Sequence, residues 1–113
     1  MTAPFRVGIT RDILDSRGEP AFGRAALAIL DDAPGIGWEY LPEVVREITA
    51  DHAARYDALY VNMARVPAAV VARPDCRLRA VARHGVGYDA VDVAAMTRAG
   101  VVVTHTPMPM PRP

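Results

Sequence analysis

Lysine is missing from this 113-residue chain; all 13 basic side chains are arginine. That removes a Walker-type phosphate lysine, a Schiff-base lysine and the lysine of a signalling receiver domain. Cysteine is nearly missing too. The lone Cys76, in a Pro74-Asp75 turn, excludes an intramolecular disulfide or a cysteine metal cluster and reads as an ordinary thiol. Charge of one sign is not in excess, because 13 Asp and Glu balance the arginines. No net field therefore draws nucleic acid, anionic lipid or an acidic polymer. No apolar run approaches membrane-spanning length, and the opening MTAPFRVGIT lacks the build of a signal peptide. These absences lead us to expect a soluble, cytoplasmic domain.

Hydrophobic residues make up 51% of the chain, enough to fill the core of one ordinary domain. Residues 5–10 (FRVGIT) read as a first strand. Over residues 21–32 the spacing predicts a helix with Phe22, Ala26, Ile29 and Leu30 on one face, ended by Pro34-Gly35. A second strand is expected at 38–41, then a short helix capped by Thr49, then a third strand at 58–62. Residues 67–72 suggest a short helix, and 78–83 a fourth strand. Asp92 can cap a helix over 93–99, with Gly100 placed to end it and a fifth strand at 101–104. Strands alternating with helices predict an α/β domain. Its sheet should be parallel, five-stranded, doubly wound and flavodoxin-like, with helices on both faces. Prolines at 107, 109, 111 and 113 then leave only an extended, polyproline-like tail.

The densest chemical signal is Arg83-His84-Gly85-Val86-Gly87-Tyr88-Asp89, between the fourth strand and the helix that Asp92 caps. In a doubly wound sheet, ligands bind at the carboxyl ends of the strands. A glycine pair there lets the backbone approach a ligand and offers bare N–H donors to an anion. A tight turn needing glycine for its φ angles explains the same residues, and on spacing alone explains them better. Arg83 and the three histidines, His52, His84 and His105, read as structural or solvent-facing, since none has an evident orienting acid in sequence. A dinucleotide fingerprint fails: the third glycine position holds Ala90. The stretch where a ribose-binding acid should follow lies in the proline tail.

Residues 78–107, LRAVARHGVGYDAVDVAAMTRAGVVVTHTP, resemble a signature of the D-2-hydroxyacid dehydrogenase family. In that family a strand runs into G-x-G-x-D, then V-D and an alanine-rich helix, then G-[IV]-x-V-x-N-T-P. Gly85, Gly87, Asp89, Val91, Asp92, Ala94, Ala95, Gly100, Val101, Thr106 and Pro107 fit, whereas His105 stands in place of the asparagine. The first sixty residues follow the family only in pattern. The resemblance implies a substrate-binding domain over 1–106 and the stub of an interdomain linker over 107–113. It implies that the backbone amides of Val86 and Gly87 hold the carboxylate of a small 2-hydroxy or 2-oxo acid. A second contact region maps onto Asn62, Met63 and Ala64. Asn62 can donate its side-chain amide to substrate, or can equally be a strand-end residue bonded to backbone.

In the family a Rossmann domain follows, bringing NAD or NADP, a substrate-binding arginine and a His–Glu acid–base pair. A final helix then returns to cover the first domain. The expectation is therefore a portion that binds no cofactor alone and lacks catalytic residues. It should be inactive by itself, partnered by a Rossmann domain or another chain, and prone to self-association. A stand-alone module for small carboxylates remains the alternative. A receiver domain fails, because its acidic pair, central Asp and Lys fall on Thr10-Arg11-Asp12, Asn62 and His105. Flavodoxin itself fails because Arg11-Asp12-Ile13-Leu14 is no phosphate loop.

Overall fold

The computed structural model describes residues 4–85 and 90–105. Five short strands, β1 (Phe5–Ile9), β2 (Ile36–Tyr40), β3 (Ala58–Val61), β4 (Ala80–Arg83) and β5 (Val102–His105), form one sheet in the order β2-β1-β3-β4-β5. Every pairing is parallel. This is the flavodoxin-like order expected from the sequence.

The register aligns Gly8, Leu59, Val81 and Val103 on one face, and Ile9, Tyr60, Ala82 and Thr104 on the other. The first face holds the larger core. There α2 (Ala50–Arg55), a 3-10 turn over Ala68–Val71 and α3 (Val93–Arg98) cover buried Leu59, Val61, Val81 and Met96. The second face carries α1 (Arg24–Asp32), packed through Leu27 against Ile9 and Ile13. Helices thus lie on both faces, but unequally among the described residues.

Local chemistry sets the helix ends. The Asp92 carboxylate accepts the Ala95 N–H at 3.0 Å and starts α3, and Gly100 at φ +80° closes it. Thr49 precedes α2 as expected, and its own backbone N–H donates to Nδ1 of His52 at 3.0 Å. In α1 the expected face was off by a few residues. Gly23, at φ +87°, delays the helix start to Arg24, which leaves Phe22 outside it. Leu27 becomes the buried residue, and Ile29 is 72% exposed.

Asp57 ties the amino ends of the strands together. Its carboxylate accepts the Arg6 N–H at 2.8 Å, with Arg77 at 3.4 Å, so this buried acid is paired. No helix among the described residues is long and apolar enough to cross a membrane.

Candidate functional site

Three strands deliver their chains to the carboxyl rim of the sheet, and polar side chains stitch the emerging turns together. Thr10 extends β1 by one residue, its N–H donating to the Tyr60 carbonyl at 2.9 Å. Its buried hydroxyl accepts the Asn62 N–H at 3.1 Å. Asp12 follows in a 3-10 turn over Arg11–Ile13. The Asn62 side-chain amide donates to the Asp12 carbonyl at 3.4 Å, and the Met63 N–H donates to Asp12 Oδ2 at 3.0 Å. Arg11 leans the other way, its Nε donating to the Leu41 carbonyl at 2.8 Å.

Asn62 and Met63, both expected to face substrate, therefore already carry internal bonds. For Asn62 the local backbone contact is long and weak by ordinary criteria. The Met63 side chain is 72% exposed, while its amide is held by a carboxylate. Thr10 and Asp12 went unread as site residues in the sequence. The available signal was a polar trio directly after a strand in a parallel sheet.

The turns after β3 and β4 run side by side. His84 N–H donates to the Val61 carbonyl at 2.8 Å, Val66 N–H to the Ala90 carbonyl at 2.8 Å, and Asp92 N–H to the Val66 carbonyl at 2.9 Å. A parallel bridge between Val66 and Val91 results. Gly85 adopts φ +114°, a conformation that favours glycine, so here the turn requirement is real. Val86 and Gly87, the expected carboxylate donors, lie outside the described residues, as do Tyr88 and Asp89. Neighbouring His84 places Nδ1 2.7 Å from the Tyr60 hydroxyl, so it has a partner that sequence did not reveal. Arg83 is only partly exposed and donates to the His84 carbonyl, which corrects its reading as a solvated charge.

The described turns do not suit a dinucleotide. A pyrophosphate wants a glycine-rich turn feeding a helix whose first N–H groups are open. At β1 the turn holds the Asp12 carboxylate instead, and at α3 the Asp92 carboxylate already takes the Ala95 N–H. No group of three or more His, Cys, Asp or Glu fit to hold a metal occurs among the described residues.

On the sheet face that α1 shares, a groove of about 350 Å³ remains open. Ala58, Tyr60, Ala80 and Ala82 floor it, with Phe22 and Leu30 along one side. Val102, beside Ala80 in register, continues the apolar row onto β5 and is 60% exposed. Three alanines in the floor would let another backbone approach closely.

A protein-family model described as D-isomer specific 2-hydroxyacid dehydrogenase, catalytic domain, matches residues 19–112. The chain is 39% identical over 70 residues to a glyoxylate reductase of Pyrococcus furiosus, which covers 62% of this chain and 21% of that protein. It is 37% identical over 84 residues to a D-3-phosphoglycerate dehydrogenase of Mycobacterium leprae, covering 74% of this chain and 16% of that one. The chain thus spans about a fifth of the length of the curated relatives it matches. A crystal structure of a Pyrococcus horikoshii protein superposes with a TM-score of 0.60 at 22% identity, over 94% of this chain and 28% of the other. That likeness supports the fold.

Proposed function

Because the chain belongs to the D-isomer specific 2-hydroxyacid dehydrogenase family, we propose that it is the substrate-binding portion of an NAD(P)-dependent enzyme interconverting small 2-hydroxy and 2-oxo acids. The observation that carries this reading is the bridge between Val66 and Val91. It clamps the turns after β3 and β4 together at the carboxyl rim, so that backbone amides from both can converge on one small acid. Val86 and Gly87 hold the acid's carboxylate from the β4 side, and Asn62 and Met63 border it from the β3 side.

The reaction asks for a hydride at the carbonyl carbon and a proton at its oxygen; reduced nicotinamide supplies the hydride when bound. This chain's residues fix the carboxylate, and with it the carbonyl's direction, before chemistry begins. NAD or NADP and the acid–base pair belong to a Rossmann domain, whether on the same polypeptide or on another. The apolar groove over Ala58, Ala80 and Ala82 is where the family's returning helix would pack. The working compartment of such an enzyme is the cytoplasm.

Two measurements on the 113-residue chain test this reading. Glyoxylate should raise its unfolding temperature in a concentration-dependent way, as any ligand of the native state must. NADH or NADPH with glyoxylate should show no turnover. Steady turnover by the chain alone, or indifference of its stability to every small 2-oxo acid tried, would overturn the proposal.

A further inference from the structure

We propose that Asp12 is a specificity residue that biases this site toward acids bearing a single negative charge and against phosphorylated or dicarboxylic ones. The inference rests on the functional reading above and adds to it a substrate class.

The argument begins with where the Asp12 charge sits. Its Oδ2 accepts the Met63 N–H at 3.0 Å, in the turn that borders the acid on the β3 side. Its Oδ1 is buried and has no hydrogen-bond partner among the described residues. No salt bridge among those residues neutralises it. The cations nearest in sequence and topology are engaged elsewhere. Arg11 donates to the Leu41 carbonyl and lies over the Tyr40 ring at 6.0 Å, on the β2 side. Arg83 donates to the carbonyl of His84. An uncompensated carboxylate therefore stands at the lip of a site meant for anions.

A 2-oxo monocarboxylate can satisfy the Val86–Gly87 side with its only charge and turn a neutral end toward Asp12. A substrate with a phosphate or second carboxylate must bring further negative charge toward the same lip. At separations below the screening length, each added charge is repelled appreciably. A merely structural role, in which Asp12 clips the turns after β1 and β3, predicts no such discrimination.

The test compares the affinities of glyoxylate and 3-phosphoglycerate for the chain and for its Asp12→Asn variant, by calorimetry or competition. Asparagine keeps an oxygen for the Met63 N–H, so the clip survives and only the charge is lost; Asp12→Ser provides a second neutral variant. We expect wild type to favour glyoxylate. Both variants should shrink that preference by about tenfold, mainly by tightening the phosphorylated acid, and high salt should shrink it in wild type alone. Glyoxylate binding with the same preference in variants and wild type would overturn the assignment while leaving the functional reading intact. A wild-type preference for 3-phosphoglycerate would overturn it too. Failure of any form to bind either acid would remove the functional reading and this inference together.

Discussion

A β-carbon on Gly8 would lie 2.9 Å from Cδ2 of Tyr56. The ring cannot easily retreat, because Tyr56 is 1% exposed and its hydroxyl donates to Glu39 Oε2 at 2.7 Å. Leu59 Cδ2 blocks the other side at 3.0 Å. Gly8 is therefore a packing requirement in a central strand rather than a turn residue. Gly8→Ala should lower stability by about 1–3 kcal/mol, the usual cost of overpacking a close-fitted core. Urea unfolding of the two proteins, compared at constant slope, measures it.

The same tyrosine sets an acid-side limit. Its hydrogen bond, followed by the Arg6 guanidinium, holds the Glu39 carboxyl below its ordinary value despite partial burial. In the reverse direction, burial and the Glu39 bond push the Tyr56 phenol up to about 12. A carboxyl depressed on folding gives stability that is present above its unfolded value and lost as pH falls through the folded one. Stability should therefore decline as pH drops below about 4.5. Tyr56→Phe should flatten that decline and cost about 1 kcal/mol at neutral pH, the net worth of one hydrogen bond. Thermal melts from pH 6 to pH 3 on both proteins would check it.

His52 works at a higher pH. Its Nδ1 accepts the Thr49 N–H only while unprotonated, and burial first, then Arg55, lower its pKa from 6.5, against the smaller opposing pull of Asp51. The unfolded chain then binds the proton more readily, so stability should rise with pH through the region at and below 6.5. His52→Gln retains an acceptor at the third helical position. It should abolish this portion of the pH dependence while keeping α2. Melting temperature against pH between 5 and 8 distinguishes the two proteins.

The groove floored by Ala58, Ala80 and Ala82 should make the chain sticky when nothing covers it. Wild type is expected to bind an apolar dye and to self-associate with rising concentration in sedimentation. Val102→Glu, at the exposed end of the same apolar row, should reduce both. A dye-free monomer at high concentration would contradict the expectation.

Much of the fold could be read in the sequence because strands, caps and breakers are local. All five strands appear where expected within two residues, and Thr49 and Asp92 stand at their helix starts. The α1 face could not be read from periodicity alone, since Gly23 decides where the helix begins. Long-range polar pairing was also hidden. Asp12 meets Met63 across 51 residues of chain, and Tyr60 meets His84 across 24. No spacing rule announces such contacts; they exist because adjacent parallel strands end at the same rim. The glycine turn shows the opposite balance. Its motif was plain in sequence, and the structure describes it only as far as Gly85.

The most direct test follows the backbone amides by nitrogen-15 NMR as glyoxylate is added to the chain. Val86 and Gly87 should shift first and furthest, saturating together with Met63, whose N–H must adjust against Asp12. Shifts confined to residues away from the carboxyl rim, or amides at 86 and 87 that stay still while glyoxylate binds, would contradict the account.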